Sequence, residues 1–422
     1  MKTLVIGTGG REHALALALA QDPGVTELHT APGNPGIGEV ATLHPVDIAD
    51  PAAVADLAAS LGIDLVVVGP EAPLVAGVAD AVIERGIAVF GPSADAARLE
   101  GSKAFSKEVM AAAEVPTARS ATCTTTAEVA AALELFGAPY VVKDDSLAAG
   151  KGVVVTTDRD EALAHAAACG TVVIEEFLDG PEVSLFALCD GRTAYPLQPA
   201  QDFKRIFDGG RGPNTGGMGS YSPLPWAPAD LAATVIETVV NPTLDEMARR
   251  GATYVGCLYV GLALTADGPK VIEFNCRFGD PDVQPVLALL DAPLGELLYA
   301  AAQGRLGEVD PPRFRAGASV SVVLASAGYP ESSSKGDVIR GLRAAAELDG
   351  VDVIHAGTAT REGELVTAGG RVLALRATGA DVADARARAY AAADLVSFPG
   401  MQRRSDIAAE PLGVVEGASL RE

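Results

Sequence analysis

Lysine is scarce in this chain of 422 residues: eight of its 32 basic residues are lysine, and arginine supplies the rest. Basic charge as a whole is in deficit, with 55 acidic residues and a formal net charge of −23. A nucleic-acid backbone binder needs a basic face, and an anionic membrane surface attracts basic segments, so both partners are argued against. Cysteine is sparse too. The five present (Cys123, Cys169, Cys189, Cys257, Cys276) are scattered, never spaced as C-x-x-C, and not clustered with the five histidines. That excludes a disulfide framework and a zinc site and predicts reduced thiols in a cytoplasmic protein. No apolar run approaches the roughly 18 residues of a membrane span. The opening MKTLVIGTGG breaks into glycines too early for a signal peptide. Repeats, low-complexity tracts and sustained heptads are also missing.

What remains is an ordinary globular composition, 49% hydrophobic and 21% charged. At about 150 residues per domain, the length predicts about three domains. The first hundred residues alternate short apolar runs (2–7, 26–31, 64–68, 87–90) with helical stretches (11–20, 51–61, 74–85). That alternation predicts βαβ crossovers and a parallel sheet. A second unit, about 115–190, reads as a small α+β lid: strands 140–143, 153–156, 172–176 and 183–189, helices 128–136 and 160–168, and a glycine hairpin at LAAGKG. From 191 to about 318 come a polar glycine-rich loop (208–222), a long helix (228–250) and strands near 257–264 and 270–275. The last hundred residues predict strands 320–326, 351–355, 364–367 and 371–377 and a helix 383–395, with TAGGRVLAL as a hairpin.

Six motifs carry chemistry. In VIGTGGREHA, a strand ends in Gly7, Gly9 and Gly10 before a helix. Backbone N–H groups bared by glycine at a helix start form an anion site. A dinucleotide fingerprint would need a third glycine where Glu12 stands, and an acid after the second strand, where the chain reads His29-Thr30-Ala31-Pro32. A phosphomonoester therefore fits better than NAD, against the plainer alternative of a tight strand–helix turn. In VVVGPEAPLVAG, Glu71 lies past the carboxyl end of a buried strand, where parallel sheets bind ligands; a solvated helix-start glutamate reads equally well. Lys103, Lys143 and Lys151 sit beside turns in EGSKAF, YVVKDD and LAAGKG. No Walker loop is present, since Asp145 replaces its first glycine and Gly152 follows Lys151. Lysines so placed in a lysine-poor chain suit polyphosphate oxygens better than bulk solvent.

VVIEEFLDGPEVSL sets Glu175 and Phe177 on one face of a strand and Glu176 on the other, then reaches Glu182. Such a strand end can hold adenosine. QDFKRIFDGGRGPNTGGMGSYSP mixes charged residues with glycines over more than a dozen positions, which predicts a substrate-closing loop over a linker. In KVIEFNCRFGDPDVQ, Glu273 and Asn275 are two apart on a strand and share a face. Carboxylate and amide oxygens are hard ligands suited to Mg²⁺. Arg277 can clamp a carboxylate through two parallel hydrogen bonds, and Asp280 can pair with an ammonium group. A strand-end ion pair between them is the alternative, and it leaves the E-x-N unexplained.

Taken in order, GTGGREHA, APGNPG, VVVGPEAPLVAG, LEGSKAF, LAAGKGVVV, IEEFLDGPEVSLFAL, QDFKRIFDGGRGPNTGGMG, EFNCRFGDPD, ASAGYP, KGD, HAGT and TAGGRVL closely resemble the phosphoribosylamine–glycine ligases (glycinamide ribonucleotide synthetases) of the ATP-grasp superfamily. The resemblance spans nearly the whole chain. It implies an α/β and α+β multidomain fold: a pre-ATP-grasp parallel-sheet domain (1–101), an ATP-grasp domain (102–318, with the lid) and a small α+β C-terminal domain (319–422). It implies ATP-dependent joining of glycine to 5-phosphoribosylamine through glycyl phosphate, early in purine synthesis, with Mg²⁺ or Mn²⁺. Lys103, Lys143, Lys151, Gly152, Glu175, Glu176, Phe177, Leu178 and Glu182 would hold ATP, and Glu273 and Asn275 the metal. Gly9, Gly10, Arg11, Glu12, Asn34, Glu71, Asn214, Gly217 and Lys335 would bind substrate. Catalytic roles would fall to Arg277, Asp280, Asp202 and Lys204, with the substrate 5-phosphate near Gly9–Arg11, Glu71 on the ribose side, and Arg277 and Asp280 on the glycine carboxylate and the amine.

Two departures stand out. Ser146 replaces a usual glycine at the lid hinge, and Gly261 stands where related enzymes often carry an acid. The rivals are another ATP-grasp purine enzyme, disfavoured by QDFKR…PNTGGMG with RFGDPD; a dinucleotide oxidoreductase, disfavoured by the missing ribose acid; and a non-catalytic sensor, disfavoured by the intact E-x-N. The expected assembly is a monomer or weak dimer with a single activity.

Overall fold

The computed structural model describes residues 1–147 and 152–409. A parallel five-stranded sheet opens the chain, in spatial order Thr42–Leu43, Glu27–Pro32, Lys2–Gly7, Leu65–Val68, Ala88–Phe90. Leu65, Val66, Val67 and Val68 are all buried, as a central parallel strand covered on both faces requires. The helix Pro51–Leu61 shows why local sequence decides its ends. Asp50 accepts hydrogen bonds from the Ala52 and Ala53 N–H groups, Pro51 starts the first turn, and Gly62 takes φ +64° just past the last.

The expected helix 74–85 is two helices, Glu71–Val75 and Val78–Glu84. Gly77 separates them at φ +90°, outside any helical conformation. The long helix 228–250 is also interrupted. Leu231–Val235 passes through one wide turn, Ile236–Val240, into Asn241–Arg249. Pro242 has no N–H to continue a regular ladder, and the wider turn accommodates it.

The lid is an antiparallel sheet, Ser120–Cys123, Val172–Glu175, Tyr140–Asp144, Val153–Thr156, with the helices Thr126–Phe136 and Arg159–Ala167 on one face. The central sheet runs Ala194–Pro196, Glu182–Asp190, Val255–Thr265, Gly268–Asn275. The C-terminal sheet is Gln201–Asp202, Gly219–Ser222, Ala318–Ala325, Arg371–Gly379, Val351–His355. Its first two strands come from the middle of the chain, so the central and C-terminal parts share one sheet. The helix Val382–Ala393 buries Ala385, Ala389, Ala392 and Ala393 on one stripe against it.

Two further expectations are corrected. TAGGRVLAL is not a hairpin: Glu364–Thr367 pairs with Thr358–Arg361, and Arg371–Gly379 instead lies between Ala318–Ala325 and Val351–His355. The glycine-rich stretch 208–222 is not an open loop. Arg205–Phe207 and Arg211–Asn214 form a hairpin joined by Asp208, Gly209 and Gly210, and both glycines have φ near +70°, a left-handed conformation that glycine adopts freely. The hairpin is latched to the chain's far end, with Asp208 accepting from Ser405 and the Gly209 N–H donating to Asp406 at 2.8 Å. Among the described residues, no helix is long and apolar enough to cross a membrane.

Candidate active site

One wall of the candidate site rests on a buried carboxylate. Glu175 ends its lid strand and meets two ammonium groups, Lys143 Nζ at 2.8 Å and Lys107 Nζ at 3.0 Å. Lys107 also donates to Thr117 Oγ1 (2.9 Å) and the Ala118 carbonyl (3.0 Å), so its three N–H bonds are spent inside the protein. Burial pushes its pKa down, against the pull of Glu175. Lys143 donates to Glu175 and the Ile272 carbonyl (2.9 Å), which leaves one N–H for a ligand.

Lys103, first residue of the helix Lys103–Ala112, donates to the Ser146 carbonyl at 3.0 Å. Asp145 reaches across to the same helix start, accepting from Ser102 Oγ and the Ala104 N–H. Ser146 has no left-handed backbone, since the non-glycine residues with positive φ among those described are Glu114, Glu362 and Ala408. The hinge therefore tolerates serine. Glu176 is turned toward Arg119, accepting from its N–H (3.0 Å) and Nε (2.6 Å). Phe177 is exposed, Leu178 half-buried, and Gly152 buried with its carbonyl accepting from the Asp144 N–H; Lys151 lies outside the described residues.

Glu273 and Asn275 do share a face of Gly268–Asn275. Among the described residues, no group donates to the Glu273 carboxylate. Burial alone would raise its pKa, but Lys204, Lys143, Arg277 and Lys103 together hold it below the usual carboxylate range. Gly261 stands opposite Glu273, and a side chain there would begin 3.3 Å from the Glu273 Cγ. An acid at 261 would crowd it. No cluster of three or more His, Cys, Asp or Glu suited to a metal occurs among the described residues. An unpartnered carboxylate beside an amide oxygen, ringed by cations, fits a divalent ion whose remaining ligands are phosphate oxygens and water.

Lys204 pairs with Glu182 at 2.8 Å, and a cavity of about 10 Å³ lies among Glu182, Ser184, Asp202, Lys204, Tyr259 and Gly261. Asp202 Oδ1 is buried there without a hydrogen-bond partner. Burial and the neighbouring Asp282 push the Asp202 pKa well above the ordinary carboxylate value. Surrounding acids, Glu182 first, keep Lys204 firmly charged against burial.

On the opposite wall, the N-terminal glycine loop is filled by the chain's own acid. The Gly9 N–H donates to Glu12 Oε2 at 2.5 Å, and Glu12 packs into the space that side chains at Gly7 and Gly69 would need. Arg11 is buried, donating to Glu12 Oε1 (2.6 Å) and the Phe278 carbonyl (3.0 Å). The Gly9 N–H expected to face a phosphate is thus engaged by a carboxylate. Asn34 is saturated as well: its Nδ2 donates to the Thr8 (2.8 Å) and His355 (3.0 Å) carbonyls, and its Oδ1 accepts from the Ile37 N–H. It staples the glycine loop to the C-terminal sheet.

Arg277 donates through Nε to Glu71 (3.2 Å), and its Nη2 lies 3.0 Å from Glu100 and 3.3 Å from Asn275 Oδ1. Its Nη1 donates to the Phe278 carbonyl, so a free two-point fork for a substrate carboxylate is not on offer. Burial raises the Glu71 pKa, but Arg277 and Arg11 outweigh it and hold the group ionised. Asp280 faces Gly9 and Gly10: a Cβ on Gly10 would come 3.0 Å from its Oδ1. Gly217, at φ +109°, lets the 214–217 backbone approach Pro281 and Asp202. Asn214 ends the hairpin strand, and Lys335 is exposed with no protein partner among the described residues.

Sequence reasoning missed Lys107, Glu100, Gln284, Tyr329 and Arg371. Gln284, Tyr329 and Arg371 lie in the quoted segments GDPDVQ, ASAGYP and TAGGRVL, but nothing local tells what they touch.

The three domain models of one family match the chain in order: Phosphoribosylglycinamide synthetase N domain over residues 1–100, ATP-grasp (A) domain over 101–283, and C domain over 319–410. Phosphoribosylamine–glycine ligase of Streptomyces coelicolor is 62% identical over 415 residues, covering 98% of this chain and 100% of that protein. That of Mycobacterium tuberculosis is 54% identical over 417 residues, covering 96% and 97%. The crystal structure of the Thermotoga maritima phosphoribosylamine–glycine ligase superposes with a TM-score of 0.84 at 35% identity, covering 96% of this chain and 100% of that one. With its three domain models matched in order, the chain belongs to the phosphoribosylglycinamide synthetase family.

Proposed function

We propose that this chain ligates glycine to 5-phosphoribosylamine at the expense of ATP, forming glycinamide ribonucleotide, ADP and phosphate, as an early step of purine synthesis in the cytoplasm, working as a monomer or weak dimer. The observation that carries the reading is the unpartnered Glu273 inside a ring of Lys103, Lys143, Lys204 and Arg277. Such a ring holds polyanionic phosphates, and phosphoryl transfer asks mainly for positioning and charge stabilisation. Bound at Glu273 and Asn275, Mg²⁺ or Mn²⁺ would neutralise charge on the phosphate oxygens.

Lys143 offers its remaining N–H, and Lys103 its charge, to the polyphosphate, and Lys151 and Gly152 of the LAAGKG segment are assigned to the same ligand. Glu175 holds Lys143 in place, while Glu176, Phe177, Leu178 and Glu182 line the adenosine end. A glycine carboxylate oxygen takes the γ-phosphoryl group, ADP leaves, and glycyl phosphate forms. The amine of phosphoribosylamine attacks its carbonyl carbon, the C–N bond forms, and phosphate departs. Asp202, with a raised pKa and an unpartnered oxygen, can take the proton that the amine sheds. Lys204 stabilises the oxyanion.

Arg277 contributes charge and its least committed nitrogen, Nη1, to the glycine carboxylate, and Asp280 faces the amine. Gly9, Gly10, Arg11, Glu12, Glu71, Asn34, Asn214 and Gly217 shape the ribosylamine side, with exposed Lys335 available to its phosphate. Phosphate release from ATP and glycine should depend on phosphoribosylamine. Equal release with formate or bicarbonate in place of glycine would overturn the assignment.

A further inference from the structure

The glycine-facing half of the site converges on Asp280, and both of its carboxylate oxygens are held. Gln284 Nε2 donates to Oδ1 at 2.8 Å. The amide cannot turn away, because its Oε1 accepts from Ser321 of the C-terminal sheet at 2.6 Å. Oδ2 is met by Arg371 Nη2 at 3.1 Å, from a residue 91 positions later in the chain. Arg371 Nη1 donates to two carbonyls at once, those of Asp280 and Gly216. The Gly216 N–H in turn donates to the Tyr329 hydroxyl at 2.9 Å. A Cβ on Gly216 would stand 3.0 Å from the Arg371 guanidinium carbon, so the backbone is laid against the fork.

One planar group therefore ties together three segments that meet nowhere in sequence: the 280–281 turn, the 216–217 backbone beside Asp202, and the start of the inner strand Arg371–Gly379 of the C-terminal sheet. A lysine could not reproduce this, having a point charge where the fork supplies fixed, diverging donors. The Arg371 side chain is 22% exposed, so these bonds are largely sheltered from water.

We propose that Arg371 is a positioning residue: it fixes the Asp280 carboxylate and the Gly216 backbone, so that the glycine and amine half of the site is assembled only when the C-terminal sheet is docked. This rests on the ligase reading above. The nucleotide wall, built from Lys103, Lys107, Lys143, Glu175, Glu273 and Asn275, does not depend on it.

The test compares Arg371→Ala, Arg371→Lys and wild type by steady-state kinetics in glycine and in ATP, with thermal melting alongside. Misplacing reacting groups by about 1 Å can cost about 100-fold. For Arg371→Ala, kcat/KM for glycine should fall about 100-fold while KM for ATP stays within about threefold. Arg371→Lys should recover no more than about a tenth of the loss. Millimolar guanidinium should partly restore Arg371→Ala and leave wild type unchanged.

An Arg371→Ala enzyme within threefold of wild type for glycine overturns the proposal. So does a parallel loss for glycine and ATP that follows melting temperature and resists guanidinium. Should Arg371→Ala fail to fold, Tyr329→Phe decides: a glycine-selective rise in KM supports the role, and unchanged kinetics overturns it. A wild-type chain inactive with glycine removes the ligase reading itself, and the proposal with it; an active wild type with an unaffected variant removes only the proposal.

Discussion

The two walls of the cleft are held by opposite means. The wall proposed for the nucleotide is an ion cluster, with Glu175 between Lys107 and Lys143, both ends buried and its bonds made within the ATP-grasp part, where the Ile272 carbonyl of the central sheet also holds Lys143. The glycine wall is a set of long-range bonds between domains: Asp280 to Arg371, 91 residues apart, Gly216 to Tyr329, 113 apart, and Asn34 to His355, 321 apart. The first wall is preorganised wherever the ATP-grasp part folds. The second exists only after the N-terminal, central and C-terminal parts have docked. An enzyme that makes a water-sensitive acyl phosphate gains from this division, since the reacting half is incomplete until the cleft is enclosed.

The sharpest way to break the comparison is to remove the charge at the centre of the nucleotide wall. Glu175→Gln leaves two buried ammonium groups without a counter-charge. Breaking a buried pair from one side costs about 3–5 kcal/mol. Urea unfolding should show that loss, and KM for ATP should rise at least tenfold. Lys107→Met is the milder counterpart: Glu175 and Lys143 stay paired, so KM for ATP should rise by no more than about tenfold, on the scale of one charged hydrogen bond. In both variants KM for glycine should hold. If it rose equally, the two walls would be one unit.

Much of the scaffold can be read from the chain. Asp50-Pro51 and Gly62 bracket their helix, and the alternation of apolar runs and helices gives the parallel sheet. Glu273 and Asn275 were legible because a strand's period of two is geometric. The break at Gly77 was not, since apolar spacing runs on through it and only φ +90° reveals the turn. Nor was the pairing of Arg371–Gly379, whose partners lie in strands far along the chain. What could not be read at all was which donors are already spent. Arg277 looks like a free fork until Glu71 and Glu100 are seen on it, and Gly9 looks like an anion site until Glu12 fills it. Residue type tells what a group can do, and only tertiary placement tells what it is already doing.

Asn34 sharpens the same point at intermediate cost. If it is a staple between domains, Asn34→Ala leaves the Thr8 and His355 carbonyls and the Ile37 N–H without partners. Unmet buried groups cost about 1–3 kcal/mol each before relaxation or water entry. A loss of about 1–3 kcal/mol in chemical denaturation is expected, with glycine kinetics disturbed more than ATP kinetics. A substrate contact would instead show as a KM change at unchanged stability.

The smallest effect lies at the same docking face and depends on pH. His13 Nδ1 accepts from the His355 backbone N–H at 2.8 Å, and His355 Nδ1 lies 3.0 Å from Thr358 Oγ1. Burial, aided by His355 and the nearby Arg376, lowers the His13 pKa to about 3, and burial lowers that of His355 to about 4. In the unfolded chain both return to about 6.5. Between those values the unfolded state binds the extra protons, so the stability the neutral pair contributes is complete above pH ~6.5 and drains away as pH falls toward 4. Each histidine adds at most about 1.4 kcal/mol per pH unit to that slope. Urea titrations from pH 7 to 4.5 should therefore show a shallower acid slope in His355→Asn than in wild type, by about one histidine's share. Because the pair joins the N-terminal helix to the C-terminal sheet, acid should also raise KM for glycine before it touches KM for ATP. An identical slope in the variant, or the reverse order of the two KM values, would place the acid-sensitive contact elsewhere.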